Sequence, residues 1–305
     1  MAKKILSVFL CAVIAFAFTS CADSKNDSKE QSENKPELVY NTFDSAYSSY
    51  DASAVSAYAD LCKAVCAGET NVRFNLGMFD NVMQLFYTSF PLNVLVKDIK
   101  KNDDGSGITV TYKYDKSEVI KKSDAFTKKI NDIVKKSKNG GENERVFAIN
   151  AYNYTASNTK KTDAENQTVY NTIMTGEGSA QTIAGMLSFI LRQGGLTSSQ
   201  LIASDAGGAG WGVCLAELDG ENYLFDPATE TIVNGGKQLV YFGMTTEDAQ
   251  KEGLSDFIYT NKAEAPTCDN PYFDTCRQCK AWEISDDDKA LLITQNNDEI
   301  VQIAL

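Results

Sequence analysis

The sequence predicts an α+β fold in which a buried helix lies on an antiparallel sheet, with a smaller helix and β-hairpin region ahead of it. Three stretches carry the prediction. In residues 170–195, Gly176 and Gly178 break the chain and Ser179 can cap a helix. Ile183, Met186, Leu187, Ile190 and Leu191 then recur at helical spacing until Gly194-Gly195 ends the pattern. In residues 211–226, a largely apolar run to Leu218, an Asp219-Gly220 turn and the apolar residues 223–225 read as strand, turn, strand. Upstream, residues 108–114 alternate behind the turn at 103–107 and pair with 94–99 as a hairpin flanked by helical patterns.

Taken in order, the chain opens on a basic Met1-Ala-Lys-Lys followed by an apolar run over 5–18, too short for a typical membrane span. The run ends Phe18-Thr19-Ser20-Cys21, which looks like a bacterial lipoprotein signal over 1–20, with cleavage before Cys21 and lipid attached to it. Residues 21–37 are mostly Ser, Lys, Glu, Asp and Asn, the composition of a solvated tether. The expected location is the bacterial cell envelope, lipid-anchored and extracytoplasmic, with the membrane as a partner through that anchor. Residues 40–66 read as one helix, or two bent near Asp51, and segments 74–85 and 86–96 surround Pro91. Residues 123–136 form a polar-faced helix with Phe126, Ile130 and Val134 on one side, and Gly140-Gly141 marks a boundary. Residues 144–157 are an amphipathic helix through Val146, Ile149 and Tyr152. The small residues at 205–210 connect two strands, or widen the mouth of a cleft. Residues 291–293 and 300–303, separated by Asn296-Asn297-Asp298, close the chain as a hairpin. The organisation expected is thus a leader (1–20), a tether (21–37), an N-terminal α+β region (38–140), a core domain (141–260) and a cysteine-containing C-terminal extension (261–305).

The core resembles the transglutaminase-like superfamily, a papain-like fold whose active members use a Cys-His-Asp triad. Gly178-Ser-Ala-Gln-Thr-Ile-Ala184 falls on the family's Gly-x-Cys-x-x-x-Ala helix start, Ala209-Gly-Trp211 on its His-Ala-Trp strand, and Leu224-Phe-Asp-Pro227 on the strand that ends in Asp-Pro. The resemblance places the nucleophile position at Ala180, the base position at Ala209 and the orienting position at Asp226, with Ser179, Gln181 and Trp211 lining the cleft. It is specific over 170–227 and looser over 143–273. The resemblance implies a papain/transglutaminase-like core with two of three catalytic groups replaced by alanine.

Chemistry sharpens that reading. A helix N-terminus helps stabilise a cysteine thiolate, but alanine has nothing to ionise. Cys-His catalysis needs a base that titrates near neutrality, and the 305 residues contain no histidine. Ser179 is better read as a cap than as a substitute nucleophile, and Asp226 as a turn cap or buried hydrogen-bond partner. Trp211 either lines an apolar groove or belongs to the core. The formal charge of −12 argues against nucleic acid. Of eight cysteines, setting aside Cys11 and Cys21 leaves Cys62, Cys66, Cys214, Cys268, Cys276 and Cys279, enough for three disulfides outside the cytosol. Cys214 also reads as buried filler, and Cys276-Arg-Gln-Cys279 as a redox pair or half a zinc site. The expectation is a non-catalytic envelope protein that needs no cofactor or metal and binds peptide, protein or cell-wall material. The competing expectations are an active family enzyme with non-standard residues and a metal or redox module on the C-terminal cysteines.

Overall fold

Side chains that accept hydrogen bonds from the first exposed N–H groups decide where the helices begin. Asp51 accepts from the Ala54 N–H at 2.9 Å and starts α1 (Ala52–Cys66). It is therefore a cap and not the bend expected there, and the residues ahead of it hold only a single tight turn at Ser45–Tyr47. The computed structural model describes residues 37–163, 167–205, 207–208 and 210–305. The leader, Cys21, the tether up to residue 36 and Ala209 lie outside the described residues. Among the described residues, no helix is long and apolar enough to cross a membrane.

After α1 come β1 (Asn71–Val72), α2 (Phe79–Ser89), β2 (Val96–Lys101), β3 (Ile108–Tyr112) and α3 (Lys116–Lys138). The expected hairpin is present, with Ile99 opposite Val110, and β1 adds to the far edge of β3. Helix α3 begins seven residues before the expected start because Asp115 caps it, accepting from the Glu118 N–H at 2.9 Å. Asn139, in the left-handed region at φ 50°, ends it ahead of Gly140.

The next group is α4 (Glu144–Asn158), β4 (Lys160–Lys161), α5 (Val169–Thr175), β5 (Glu177–Gly178), α6 (Ala180–Gln193), β6 (Ser198–Ser204), β7 (Gly210–Leu218) and β8 (Glu221–Phe225). Then follow α7 (Pro227–Asn234), α8 (Thr246–Lys251) and β9 (Ser255–Tyr259). The main sheet runs β8-β7-β6-β9 and is antiparallel throughout. The two-residue turn between β7 and β8 needs positive φ twice, and Asp219 (51°) and Gly220 (81°) supply it. Alternate residues of β7 point to opposite faces. Cys214, Ala216 and Leu218 join the main core, while Val213 and Leu215 pack with Tyr241, Met244, Leu254 and Cys268 on the other side. A strand buried on both faces loses the apolar/polar alternation, which is why 211–218 reads as a nearly continuous apolar run.

Helix α6 is buried along its whole length except at Gln181, and packs on β6 and β7 with α3, α4, α5 and α7 around it. The C-terminal stretch forms β10 (Cys279–Ile284), β11 (Ala290–Gln295) and β12 (Ile300–Ala304), an antiparallel sheet of which the last two strands are the expected hairpin. Pro36–Leu305 is one compact unit, and a single core takes Leu61 and Phe126 from the N-terminal stretch, Phe189 from α6 and Phe273 and Leu291 from the C-terminal one.

Candidate functional site

Two short strands hold the approach to α6. The Lys160 N–H donates to the Gly176 carbonyl and the Thr162 N–H to the Gly178 carbonyl, both at 2.8 Å, so β4 and β5 run parallel. Ser179 then caps α6, its Oγ accepting from the Thr182 N–H at 3.3 Å, as the sequence predicts. Ala180 is the first residue of the helix and only 3 % exposed. It packs with Ile183, Ala228 and Trp211 in a small cluster of its own.

Strand β7 crosses this helix start at backbone contact. A Cβ on Gly212 would lie 2.2 Å from Gln181 Cα and 2.7 Å from the Ala180 carbonyl carbon, so only glycine fits. The Gln181 Nε2 donates to the Gly210 carbonyl at 2.8 Å and ties the strand end to the helix. Ala209 lies outside the described residues, but its neighbour Gly210 is thus fixed beside the first turn of α6.

Asp226 closes the arrangement. It is 1 % exposed and caps α7, with Oδ1 accepting from the Thr229 N–H at 2.9 Å. Its Oδ2 accepts from the Thr229 hydroxyl at 2.6 Å and from the Trp211 indole N–H at 2.9 Å. Burial pushes its carboxyl up to about 6, against the pull of these donors. Trp211 is half-buried, and the Lys161 ammonium sits 5.7 Å from the centre of its ring. The structure therefore brings Ser179, Ala180, Gln181, Trp211 and Asp226 into one neighbourhood. The partner on the Asp226 carboxylate is an indole N–H, which donates only and has no lone pair to take up a proton.

Sequence reasoning missed a second buried acid beside this group. Glu230, fully buried, accepts from the Tyr152 hydroxyl at 3.1 Å, from the Tyr241 N–H at 3.0 Å and from Asn234 Nδ2 at 2.9 Å. Its spacing of four from Asp226, on a helix opened by Pro227, was the available signal. Burial and the Glu230 charge push the Tyr152 hydroxyl well above its usual range, keeping it a neutral donor.

The cysteines correct an expectation. Cys62, Cys66, Cys214, Cys268, Cys276 and Cys279 form none of the expected disulfides. Cys62 and Cys66 are one turn apart on α1, where Cβ atoms sit about 5–6 Å from each other, beyond the roughly 3.5–4.5 Å a disulfide spans. Cys214 and Cys268 are built into different packing clusters of the main sheet. Cys276 and Cys279 are buried, and burial pushes their thiols up to about 12 and about 11, opposite to the depressed values of redox Cys-x-x-Cys pairs. Burial likewise pushes Cys268 up to about 12. Among the described residues, no group of three or more His, Cys, Asp or Glu side chains is placed to hold a metal ion.

The sequence matches no protein-family model and no curated protein. Among solved structures, the chain is similar to a putative cysteine protease from Cytophaga hutchinsonii (13% identity, TM-score 0.30, 33% of this chain and 37% of that one). It is also similar to a putative protease from Parabacteroides distasonis (12% identity, TM-score 0.34, 57% and 35%). Legionella pneumophila LapG, in an EGTA-treated form, matches at 12% identity and TM-score 0.26 over 37% of this chain and 64% of that one. The match thus spans little more than a third of each of the first two proteins.

Proposed function

We propose that this chain is a lipid-anchored, extracytoplasmic bacterial protein with a degenerate papain/transglutaminase-like core that binds peptide, protein or cell-wall material without catalysing a reaction on it. The observation that carries the reading is the pairing at the start of α6. Ala180 stands at the helix N-terminus, while Asp226 spends its carboxylate on Trp211 and Thr229. A cysteine protease or transamidase needs a thiolate at the first position and a proton acceptor held by the second. Alanine and an indole N–H supply neither, and the chain holds no histidine to stand in. What remains at the surface is Ser179, Gln181 and the open side of Trp211 with Lys161 beside it, an aromatic and polar strip suited to an extended backbone. The anchor rests on the Thr19-Ser20-Cys21 pattern.

Two measurements on one preparation test it. In fractionated cells the wild-type chain should enter the membrane fraction and the Cys21→Ser form should not. The mature chain in mild detergent should co-sediment with purified cell-wall sacculi or with unfolded casein and leave either ligand chemically intact. Wild-type chain absent from the membrane, no retention on either ligand, or cleavage of a bound one would contradict the proposal.

A further inference from the structure

A cavity of about 330 Å³ lies between α6 and the stretch that follows α2, within the range of small-molecule sites. Its walls come from Ser89 at the end of α2, Thr182 and Arg192 on α6, Gln200 on β6, Gln167 ahead of α5 and Thr260 after β9. Polar groups in protein interiors nearly always have partners, and residues that line this cavity carry several of the exceptions. Among the described residues, seven buried side-chain polar atoms have no hydrogen-bond partner, and four of them belong to residues lining it: Arg192 Nε and Nη1, Gln167 Oε1 and Thr260 Oγ1.

Arg192 is the most demanding of these. It is 5 % exposed; its Nη2 donates to the Ser89 carbonyl at 3.3 Å, and its guanidinium carbon lies 5.8 Å from the centre of the Phe189 ring. No carboxylate among the described residues is within ion-pair distance of it. Asp44 lines the same cavity, but its carboxylate accepts from Ala46 N–H, Ser199 Oγ and Gln200 N–H instead. An enclosed guanidinium that makes no ion pair is costly, and an anion bound against it in the cavity relieves that cost.

We infer that this cavity binds a small monocarboxylate that also carries an N–H or O–H donor, such as an amino or hydroxy acid, with Arg192 as the anion anchor. The donor is required because Gln167 turns its Nε2 toward Thr162 and leaves Oε1 an acceptor without a partner. A single negative charge fits better than a phosphate dianion, since the one guanidinium shares the cavity lining with the Asp44 carboxylate, which repels added negative charge. The inference does not depend on the degenerate core having lost its chemistry, because Arg192, Gln167 and Thr260 lie outside the Ala180–Asp226 neighbourhood and the two share only Thr182, whose N–H Ser179 caps.

The test is thermal unfolding of the mature chain in mild detergent with alanine, lactate, propionate or alaninamide as probe. Alanine or lactate should raise the midpoint by on the order of 5 °C at about a hundred times Kd, propionate should do so less, and alaninamide not at all. Arg192→Met, which removes the unpaired charge while keeping bulk, should fold and lose at least tenfold in affinity for alanine and lactate. Thr260→Val, a milder change at another residue of the lining, should weaken them less. No shift with any carboxylate, an equal shift with alaninamide, or an undiminished shift in Arg192→Met would overturn the assignment.

Discussion

Asp226 gathers three donors in a site that water does not reach, and the balance between those donors and burial sets its titration. Burial wins, so the carboxyl titrates at about 6 instead of near 3.8. Below the unfolded value the group is protonated in both states and contributes nothing. Between about 4 and 6 the folded state holds more protons than the unfolded one, so stability falls as pH rises, by about 3 kcal/mol in total before it levels off. Asp226→Asn lacks this loss, and urea unfolding at pH 4 and pH 7 should show the wild type weakening relative to the variant by that order. Parallel loss in both would contradict it. Trp211→Phe removes one donor from the buried carboxylate, should cost about 1–3 kcal/mol at pH 7, and should push the Asp226 titration higher still. Unfolding of this variant across the same pH range checks both effects.

At the scale of elements, the site depends on how closely β7 approaches α6. Gly212→Ala places a methyl group against the Gln181 and Ala180 backbone and should destabilise by about 3 kcal/mol. Gly210→Ala, two residues earlier on the same strand, meets Ile202 Cγ2 at 3.5 Å and Gln181 Nε2 at 3.6 Å, ordinary contact, and should change little. Denaturant midpoints of the pair separate a backbone clash from a general intolerance of the strand. The same elements show what was legible in the sequence. Helix α6, its Ser179 cap and the β7–β8 hairpin could be read because apolar spacing, a cap residue and an Asp-Gly turn all agree. Strands β6 and β9 could not. In β6, Ser198-Ser-Gln interrupts any apolar pattern, and the two serines are buried only because Ser198 bonds the Ser188 carbonyl and Ser199 bonds Asp44. Those partners are remote in sequence. Strand β10 is hard to read because only Cys279 of Cys-Lys-Ala-Trp-Glu-Ile is buried, and the start of α3 because its first turns, before Ser123, are mostly charged. At the site, Ser179, Gln181, Trp211 and Asp226 were named from the sequence, whereas Glu230 and Arg192 were not. A buried charge looks like any surface charge until the fold encloses it.

Across the whole molecule, one core ties the N-terminal helices, the main sheet and the C-terminal strands together, without covalent cross-links among the described cysteines. The mature chain, unfolded in guanidinium without reductant, should therefore expose six reactive thiols, and its mobility on a gel should be unchanged by reductant. Fewer thiols would restore the disulfides that the cysteine count first suggested. Folded protein should react slowly at Cys62, Cys214, Cys268, Cys276 and Cys279, which are buried and whose thiols burial keeps protonated. The proposed role of the molecule, a tethered scaffold that retains a binding surface and not a reaction, rests on the pairing of Ala180 with an Asp226 already spent on Trp211. The most direct test is turnover. The mature chain should be incubated with casein and a fluorescent amine, and separately with cell-wall stem peptides, and the products read by mass spectrometry. The account predicts no amide cleaved and no amine incorporated above the rate in buffer. Product above that rate which disappears in folded Ser179→Ala or Asp226→Asn protein would contradict it.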